Sequence, residues 1–335
     1  MLPTCFTDLV GCTVPIQQAG MGAVAPPALA AAVSNAGGLG MVGTARWGGH
    51  SLPGLQQLLD ETHVLTDRPF GVNIVVSDPH LASTDPACFA LAAKHAALVE
   101  FFWRWPDRAL IETVHAQGAL VSWQVGSQAE AAAAQEAGVD LIVAQGVGAG
   151  GHVRGTIGVL ALLDEVLDVV DVPVLAAGGL GSGRGVAAVL AAGAAGARLG
   201  TRFLAAPEAD VHAQYLAALL AAKAADTMYS WTFNDWWDAP GRTLRSAVDA
   251  VNAFPGDLVG ETPSLDGTRE LLPRYYPEAV NRGTTGTIAA MSLWAGESVG
   301  RVTQVQSAAE IVREVAEEAE RLLSRWGSSR HASAR

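Results

Sequence analysis

Short runs of apolar and β-branched residues alternate along the chain with longer segments in which apolar residues recur at helical spacing. Short runs bounded by glycine or polar residues are typical of buried strands, and the longer segments are typical of helices that bury one face. The pattern predicts strands over residues 14–19, 39–43, 70–76, 97–103, 119–125, 140–145, 172–177 and 197–200. It predicts helices over residues 26–35, 52–63, 86–95, 107–117, 128–137, 156–169, 184–192 and 208–222.

Eight strand-then-helix units within about 220 residues favour a closed parallel barrel with its helices outside. A doubly wound open sheet is the alternative architecture. Glycines at predicted helix ends, such as Gly138, supply the left-handed conformation that ends a helix. We therefore predict an α/β fold, a (β/α)8 TIM barrel, over residues 1–222.

The regular alternation of predicted strands and helices ends after Ala222. Residues 223–300 are rich in aromatic residues and are interrupted by proline and glycine, which predicts an irregular lid or cap segment. Within residues 301–326 a helix is predicted to pack on the barrel, because apolar positions such as Ile311 and Val315 lie opposite acidic ones. Residues 327–335 are predicted to be a disordered tail.

Composition narrows the kind of ligand. The chain has 335 residues and a formal net charge of −12, from 21 basic and 33 acidic residues. Such a charge repels nucleic acid and anionic membrane surfaces, so we expect neither as a partner and a small molecule as the ligand. No apolar run reaches the roughly 18 residues of a membrane helix, and the first residues lack the basic segment of a secretion signal. Three cysteines without metal-binding spacing predict no metal site and a reducing, cytoplasmic location.

Glycine-rich turns follow the predicted seventh and eighth strands, where parallel barrels commonly hold phosphate. The first turn contains Gly178 and Gly179, and the second contains Gly200 followed by the hydroxyl of Thr201. Glycine lets backbone N–H groups approach an anion closely. The two turns predict a phosphate site, with ordinary tight turns as the alternative.

The sixth strand runs into a second glycine-rich segment, which ends in His152. Gly146, Gly148 and Gly151 match the spacing of a dinucleotide fingerprint, but no helix begins there and no acidic residue ends the next strand. We therefore reject that interpretation. Instead we expect a flexible loop in which Gly150 and Gly151 pack near a flat ligand, with an imidazole able to act as acid or base. The alternative is that His152 only caps the loop.

Several backbone and amide groups are predicted to meet at the barrel mouth. Gly20, Met21 and Gly22 follow the first strand, and their amides can face the mouth. Polar amides interrupt three otherwise apolar strands, at Asn73, Gln124 and Gln145. A buried amide requires a partner, either a neighbouring strand loop or a ring rich in donors and acceptors. A flavin with a phosphate tail fits the second case.

Together these segments resemble the nitronate monooxygenase family (the 2-nitropropane dioxygenases), which are FMN-dependent (β/α)8 barrels. The resemblance covers most of residues 12–222 in order and, weakly, residues 293–302. It rests on five motifs, in residues 15–40, 69–73, 144–152, 172–179 and 196–204.

The resemblance implies that FMN is the cofactor and that His152 is the catalytic residue beside the substrate. Met21 and Gly22 would lie against the flavin ring through their backbone. The other cofactor-binding residues that it implies are Asn73, Gln124, Gln145, Gly150, Gly151, Gly178, Gly179, Gly200 and Thr201. The chain departs from the family at Gly148, where an acidic residue is frequent, at Arg198, where glutamine is common, and at residues 123–126. These departures bear on the substrate and on the assistance given to His152, and they leave FMN binding intact.

The expected reaction is oxidation of alkyl nitronates with O2, giving a carbonyl compound and nitrite. An NAD(P)H-dependent flavin reductase of the enoyl-acyl-carrier-protein or quinone type is the first alternative, and a flavin-free phosphate-binding barrel enzyme is the second. The aromatic residues 231–237 either cover the mouth or form an ordinary core patch. The sequence allows a homodimer without requiring one.

Overall fold

The computed structural model describes residues 2–44, 49–264 and 268–332 of the chain. The strands are β1 (Ile16–Gln18), β2 (Gly40–Gly43), β3 (Phe70–Val75), β4 (Leu98–Phe102), β5 (Leu120–Val125), β6 (Leu141–Gln145), β7 (Gly151–His152), β8 (Val174–Ala177), β9 (Gly196–Leu199), β10 (Thr227–Ser230), β11 (Gly241–Leu244), β12 (Leu258–Pro263), β13 (Arg269–Pro273) and β14 (Thr285–Gly286). The α-helices are α1 (Cys5–Val10), α2 (Pro27–Asn35), α3 (Leu52–Leu65), α4 (Asp78–Ser83), α5 (Ala87–His95), α6 (Arg108–His115), α7 (Gln128–Ala137), α8 (Val159–Leu167), α9 (Gly183–Ala191), α10 (Ala213–Ala221), α11 (Arg245–Ala253) and α12 (Ala308–Ala332).

Eight parallel strands form the barrel, in the order β1-β9-β8-β6-β5-β4-β3-β2. A parallel bridge between Gln17 and Leu39 joins the two ends of this sheet. Two backbone hydrogen bonds support the bridge, from the Gln18 amide to the Leu39 carbonyl and from the Leu39 amide to the Ile16 carbonyl. The predicted barrel is therefore confirmed, and the open sheet is excluded.

The eight predicted strands and the helices between them all occur, with ends that differ by a few residues. The strands read as continuous apolar runs because both of their faces are buried, one against the barrel interior and one against the helices. Helix α7 ends where predicted, at Gly138, whose φ of 102° places it in the left-handed region and whose amide bonds to the Ala134 carbonyl.

Helix α1 closes the amino-terminal end of the barrel, and the sequence pattern did not predict it. Its Phe6 is fully buried and packs with interior residues of the strands, including Met41 and Leu175. The Thr4 hydroxyl caps this helix and donates to the Ala195 carbonyl, just before β9. Apolar side chains fill this end, so the space for a ligand lies at the opposite, carboxyl end of the strands.

Residues 223–300 are more regular than the predicted lid. Two three-stranded sheets lie here, in the orders β10-β11-β7 and β13-β12-β14, together with α11. The first of these sheets includes β7, which comes from the segment after β6. This part of the chain therefore pairs directly with the rim of the barrel.

Helix α12 packs on the barrel as predicted. Its Ile311, Val315 and Ala319 are buried. The helix approaches α9 closely, since a Cβ on Gly183 would fall 2.6 Å from the Ala319 amide nitrogen. It continues to Ala332, so residues 327–332 are helical and not the predicted tail, and residues 333–335 lie outside the described part. None of the described helices combines the length and apolar character needed to cross a bilayer.

Candidate active site

A cavity of about 1250 Å³, including the part open to solvent, lies at the carboxyl ends of the barrel strands. Every predicted site residue except Gly20 lines it. A Cβ on Gly20 would fall 2.4 Å from the Asn73 Cβ, so this glycine lets the Asn73 side chain approach and lies behind the wall. The predicted residues that line the cavity are Met21, Gly22, Asn73, Gln124, Gln145, Gly150, Gly151, His152, Gly178, Gly179, Gly200 and Thr201.

Two glycine turns and one hydroxyl belong to the lining of the cavity. Gly178 and Gly179 form the turn that leads into α9. Their φ angles are 108° and 72°, values that residues other than glycine rarely adopt. The Thr201 hydroxyl accepts a hydrogen bond of 2.9 Å from the Gly296 amide. Because that bond uses a lone pair, the hydroxyl proton remains able to donate into the cavity.

The floor of the cavity is a buried polar network. Glu100 accepts a hydrogen bond of 2.7 Å from Asn73 and forms a 2.6 Å ion pair with Arg198. Arg198 also donates to the Gln124 side chain at 2.7 Å. Glu100 and Arg198 are 0% and 6% exposed, so each charge depends on the other for compensation. Where the family commonly has glutamine, this chain therefore has Arg198, a cation that lines the cavity and is paired with Glu100.

The segment that carries His152 is anchored, and the prediction of a flexible loop was wrong. Residues Gly151 and His152 form β7, which pairs antiparallel with β11 through Arg242 and Gly241. A Cβ on Gly150 would fall 2.4 Å from the Gly296 amide nitrogen, so the segment also packs directly on backbone. The imidazole is therefore held by the chain's carboxyl-terminal part.

His152 is a neutral base in this environment. Its Nδ1 lies 3.1 Å from the Ala239 carbonyl, which can only accept, so the proton is on Nδ1 and Nε2 has a lone pair. Nε2 is buried and has no partner among the described residues. Burial lowers the pKa of His152 to about 4, and hydrogen bonds to backbone carbonyls oppose this only partly.

Tryptophans surround this imidazole. The ring centroids of Trp237 and Trp294 lie 4.0 Å and 4.6 Å from that of His152, and Trp103 lies at 5.9 Å. Of the aromatic segment 231–237, Trp236 and Trp237 line the cavity, while Phe233 is buried in the core near Trp294. The segment is therefore partly cavity wall and partly core.

A second histidine, His80, lies in the cavity, and the sequence pattern gave it no role. It is on the short helix α4 after β3, 6% exposed, with its Nδ1 2.5 Å from the Ser77 hydroxyl. Burial lowers the pKa of His80 to about 4, and the nearby His50 and His152 lower it further. The Ser-Asp-Pro turn that starts α4 at the end of a barrel strand was the available signal.

These groups fit a flavin mononucleotide. The Gln145 Oε1 atom is buried without a partner among the described residues, which leaves an acceptor for a ring N–H. The glycine turns and the Thr201 side chain carry N–H and O–H groups of the kind that bind a phosphate. Within the described residues, no cluster of side chains suits a metal ion.

A parallel barrel with glycine turns, amide side chains and a buried imidazole at its carboxyl rim is typical of an enzyme active site. The model of the family described as nitronate monooxygenase matches residues 4–96 and 88–318. The chain belongs to the nitronate monooxygenase family and is an oxidoreductase. This family is flavin-dependent in general.

Two curated relatives and one solved structure illustrate the range of similar proteins. The nitronate monooxygenase of Pseudomonas aeruginosa is 33% identical over 359 residues, covering 93% of this chain and 98% of that protein. A (3aS,4S,5R,7aS)-5-hydroxy-7a-methyl-1-oxo-octahydro-1H-indene-4-carboxyl-CoA dehydrogenase of Rhodococcus jostii is 41% identical over 210 residues, 63% of this chain and only 57% of that protein. FabK of Thermotoga maritima is 27% identical, with a TM-score of 0.80, covering 98% of this chain and 100% of that chain.

Proposed function

We propose that this protein is an FMN-dependent oxidoreductase of the nitronate monooxygenase type, which converts alkyl nitronates with O2 to a carbonyl compound and nitrite. We also propose that His152 forms the nitronate when the neutral nitroalkane is supplied. The observation that carries the proposal is the buried Nε2 atom of His152, which has no partner among the described residues and belongs to a side chain that lines the cavity. A nitroalkane has an acidic C–H bond beside its nitro group, and a neutral imidazole is a suitable base for it.

The chain's own residues would hold FMN at both ends. Gly178, Gly179, Gly200 and Thr201 would bind its phosphate, and the Gln145 side chain would bind a polar edge of the ring. Bound FMN supplies the electron acceptor that no amino-acid side chain provides. The surrounding tryptophans exclude water from the reacting carbon and strengthen every electrostatic contact there.

His152 removes the proton in this account. At neutral pH a group with a pKa of about 4 is almost entirely unprotonated, so the Nε2 lone pair is free. The C–H bond breaks, its proton moves to Nε2, and the electron pair passes onto the nitro group, which gives a nitronate. In the alternative, a His152 that is already protonated attracts the nitronate, but with a pKa of about 4 few molecules carry that proton before the substrate binds.

A second candidate is oxidation of an acyl-CoA thioester. The 41% identity to the Rhodococcus jostii carboxyl-CoA dehydrogenase favours it, within the barrel region that the match covers. A proton beside a thioester carbonyl is also acidic, so the same base serves. The tryptophan walls would accept a ring skeleton on such a substrate.

Anaerobic reduction of the FMN-loaded protein separates these reactions. Rapid bleaching of the flavin by 1-nitropropane or its nitronate supports the nitronate monooxygenase reaction, and bleaching by an acyl-CoA alone supports the second candidate. If NADH or NADPH bleaches the flavin, and neither the nitro compounds nor the acyl-CoA does, the flavin reductase is supported instead. A colourless protein that cannot be reconstituted with FMN would overturn all three and favour the flavin-free barrel enzyme.

The setting of the enzyme is also a proposal. Cys5, Cys12 and Cys88 are free thiols in the structure. Free thiols persist in a reducing compartment, which supports the cytoplasm as the location.

A further inference from the structure

Among the side chains that line the cavity, that of Trp237 has a buried indole Nε1–H with no partner among the described residues. Trp237 is 7% exposed and lines the cavity. By contrast, the Trp294 indole donates to the Pro277 carbonyl at 3.0 Å, and the Trp123 indole donates to the Arg104 carbonyl at 3.0 Å. Leaving a buried N–H unpaired costs free energy, so a ligand atom that accepts from Trp237 would bind favourably.

The same turn of the chain holds this donor and the base. The Trp237 amide bonds to the Asn234 carbonyl at 3.2 Å, and the Ala239 amide bonds to the Trp237 carbonyl at 2.6 Å. The Ala239 carbonyl in turn accepts from His152 Nδ1. The turn therefore fixes the Trp237 indole and the His152 imidazole relative to each other, with ring centroids 4.0 Å apart and planes at 49°.

Among the described residues, the ring contacts of Trp237 are all with neutral aromatic side chains at neutral pH. The rings packed on it are those of His152, His80, Trp103 and Trp236, and burial keeps both histidines neutral at neutral pH. The cavity's cation, Arg198, is already paired with Glu100 on the floor. When His152 takes the proton it becomes an imidazolium beside the new oxyanion, and the indole adds a neutral donor. A preorganised N–H in a dry site stabilises such an oxygen strongly.

We propose that the Trp237 Nε1–H binds the substrate oxygen that gains negative charge when His152 removes the proton. The ligand class is a planar oxyanion conjugated to the reacting carbon, as in a nitronate. As the C–H bond breaks and its proton moves to Nε2, the electron pair shifts onto that oxygen, which accepts from the indole. This inference rests on the proposed function, because it uses the same base and the same acidic carbon.

Butyrate is a suitable probe, because a carboxylate has the planar, two-oxygen shape of a nitronate and does not react. Its dissociation constant is measured from the change in flavin absorbance on titration of FMN-loaded protein. We expect Trp237→Phe, which keeps the aromatic ring and removes the N–H, to raise this constant about tenfold or more. The control is Trp231→Phe, which changes a 55% exposed indole of the same segment outside the cavity and should leave the constant unchanged.

A second replacement guards against a packing artefact. Benzothienylalanine at position 237 keeps the size and shape of tryptophan and lacks the N–H, so it should weaken butyrate binding as much as Trp237→Phe. The account also predicts a fall in kcat/KM for 1-nitropropane of similar size, with an unchanged FMN dissociation constant. Equal butyrate affinity in wild type and in either N–H-free protein, or no butyrate binding by wild type, would overturn the inference.

The same titration separates this inference from the proposed function. If wild type binds butyrate through Trp237 but no nitro compound reduces its flavin, the nitronate reaction fails and the oxyanion site stands. If nitro compounds reduce the flavin and Trp237→Phe binds butyrate normally, the reaction stands and the oxyanion site fails.

Discussion

Glu100 and Arg198 form an ion pair of 2.6 Å inside the barrel, on strands β4 and β9, directly beneath the candidate active site. Asn73 and Gln124 complete the network by bonding to the carboxylate and the guanidinium respectively. A buried charge pair is costly to break, since removal of one partner leaves the other unpaired in a medium of low polarity. The pair therefore ties the stability of the barrel to the shape of the cavity floor.

Removal of one charge from this pair should destabilise the protein. We expect Glu100→Gln to lower the free energy of unfolding by about 3 kcal/mol, because it leaves the Arg198 charge uncompensated. The double variant Glu100→Gln with Arg198→Gln should recover part of the loss, because no charge remains. Urea unfolding of the FMN-free proteins measures both. A double variant that is less stable than Glu100→Gln would contradict this explanation.

The Thr201 hydroxyl should contribute to cofactor affinity. Thr201→Val removes the proton that we place on the FMN phosphate, and hydrogen bonds to charged groups are worth about 1.5–3 kcal/mol. We therefore expect the dissociation constant of FMN to rise by about 10- to 100-fold, measured by fluorescence titration of the apoprotein. Thr201→Ser keeps the hydroxyl and should stay near wild type. If serine weakens binding as much as valine does, the hydroxyl is not the cause.

Two neighbouring glycines should respond differently to alanine. A Cβ on Gly148 would meet the Glu297 carboxylate at 2.6 Å, the end of a half-exposed side chain that can move away. A Cβ on Gly150 would meet the Gly296 backbone, which cannot. We expect Gly148→Ala to keep its FMN and its melting temperature, and Gly150→Ala to lose at least about 2 kcal/mol of stability. Equal losses of stability in the two variants would show that the backbone contact of Gly150 does not determine stability.

Acid should destabilise the protein through the buried histidines. The pKa of His80 is about 4 in the folded protein, whereas an unfolded histidine titrates near 6.5, so between these values only the unfolded chain binds the proton. Stability is therefore fully present above pH 6.5 and falls as the pH drops toward 4, by up to about 1.4 kcal/mol per pH unit for each such histidine. His80→Gln should show a shallower fall in urea unfolding between pH 6.5 and 4. The slope of the unfolding free energy against pH above pH 7 serves as the internal reference. If His80→Gln has the same slope as wild type between pH 6.5 and 4, the low pKa of His80 is refuted.

Local patterns predicted the barrel because each strand and helix leaves its own signal. The apolar run of β6 and the glycine at the end of α7 can be identified without knowledge of their neighbours. The glycines and amides of the site were also predictable, since a polar residue such as Asn73 is conspicuous in an otherwise apolar strand. The residue behind the wall, Gly20, was misplaced because a glycine that supports a side chain looks the same in sequence as one that faces a ligand.

Relationships across long stretches of chain were not predictable. The anchoring of β7 depends on β11, about 90 residues further on. A run of glycines by itself predicts a flexible backbone. The pairing of Glu100 with Arg198 likewise depends on the barrel bringing two distant strands together. Trp237 was noted only as a member of an aromatic segment, because hydrophobicity does not tell a core indole from one with an unpaired N–H.

The most direct test of the account is the anaerobic reduction of the FMN-loaded His152→Gln variant by 1-nitropropane, supplied either as the neutral nitroalkane or as its preformed nitronate. We predict that the variant keeps its yellow cofactor and reacts with the nitronate, whereas its rate with the neutral nitroalkane falls at least about 100-fold below wild type. Reduction of the variant by the neutral nitroalkane at the wild-type rate would contradict the assignment of His152 as the base.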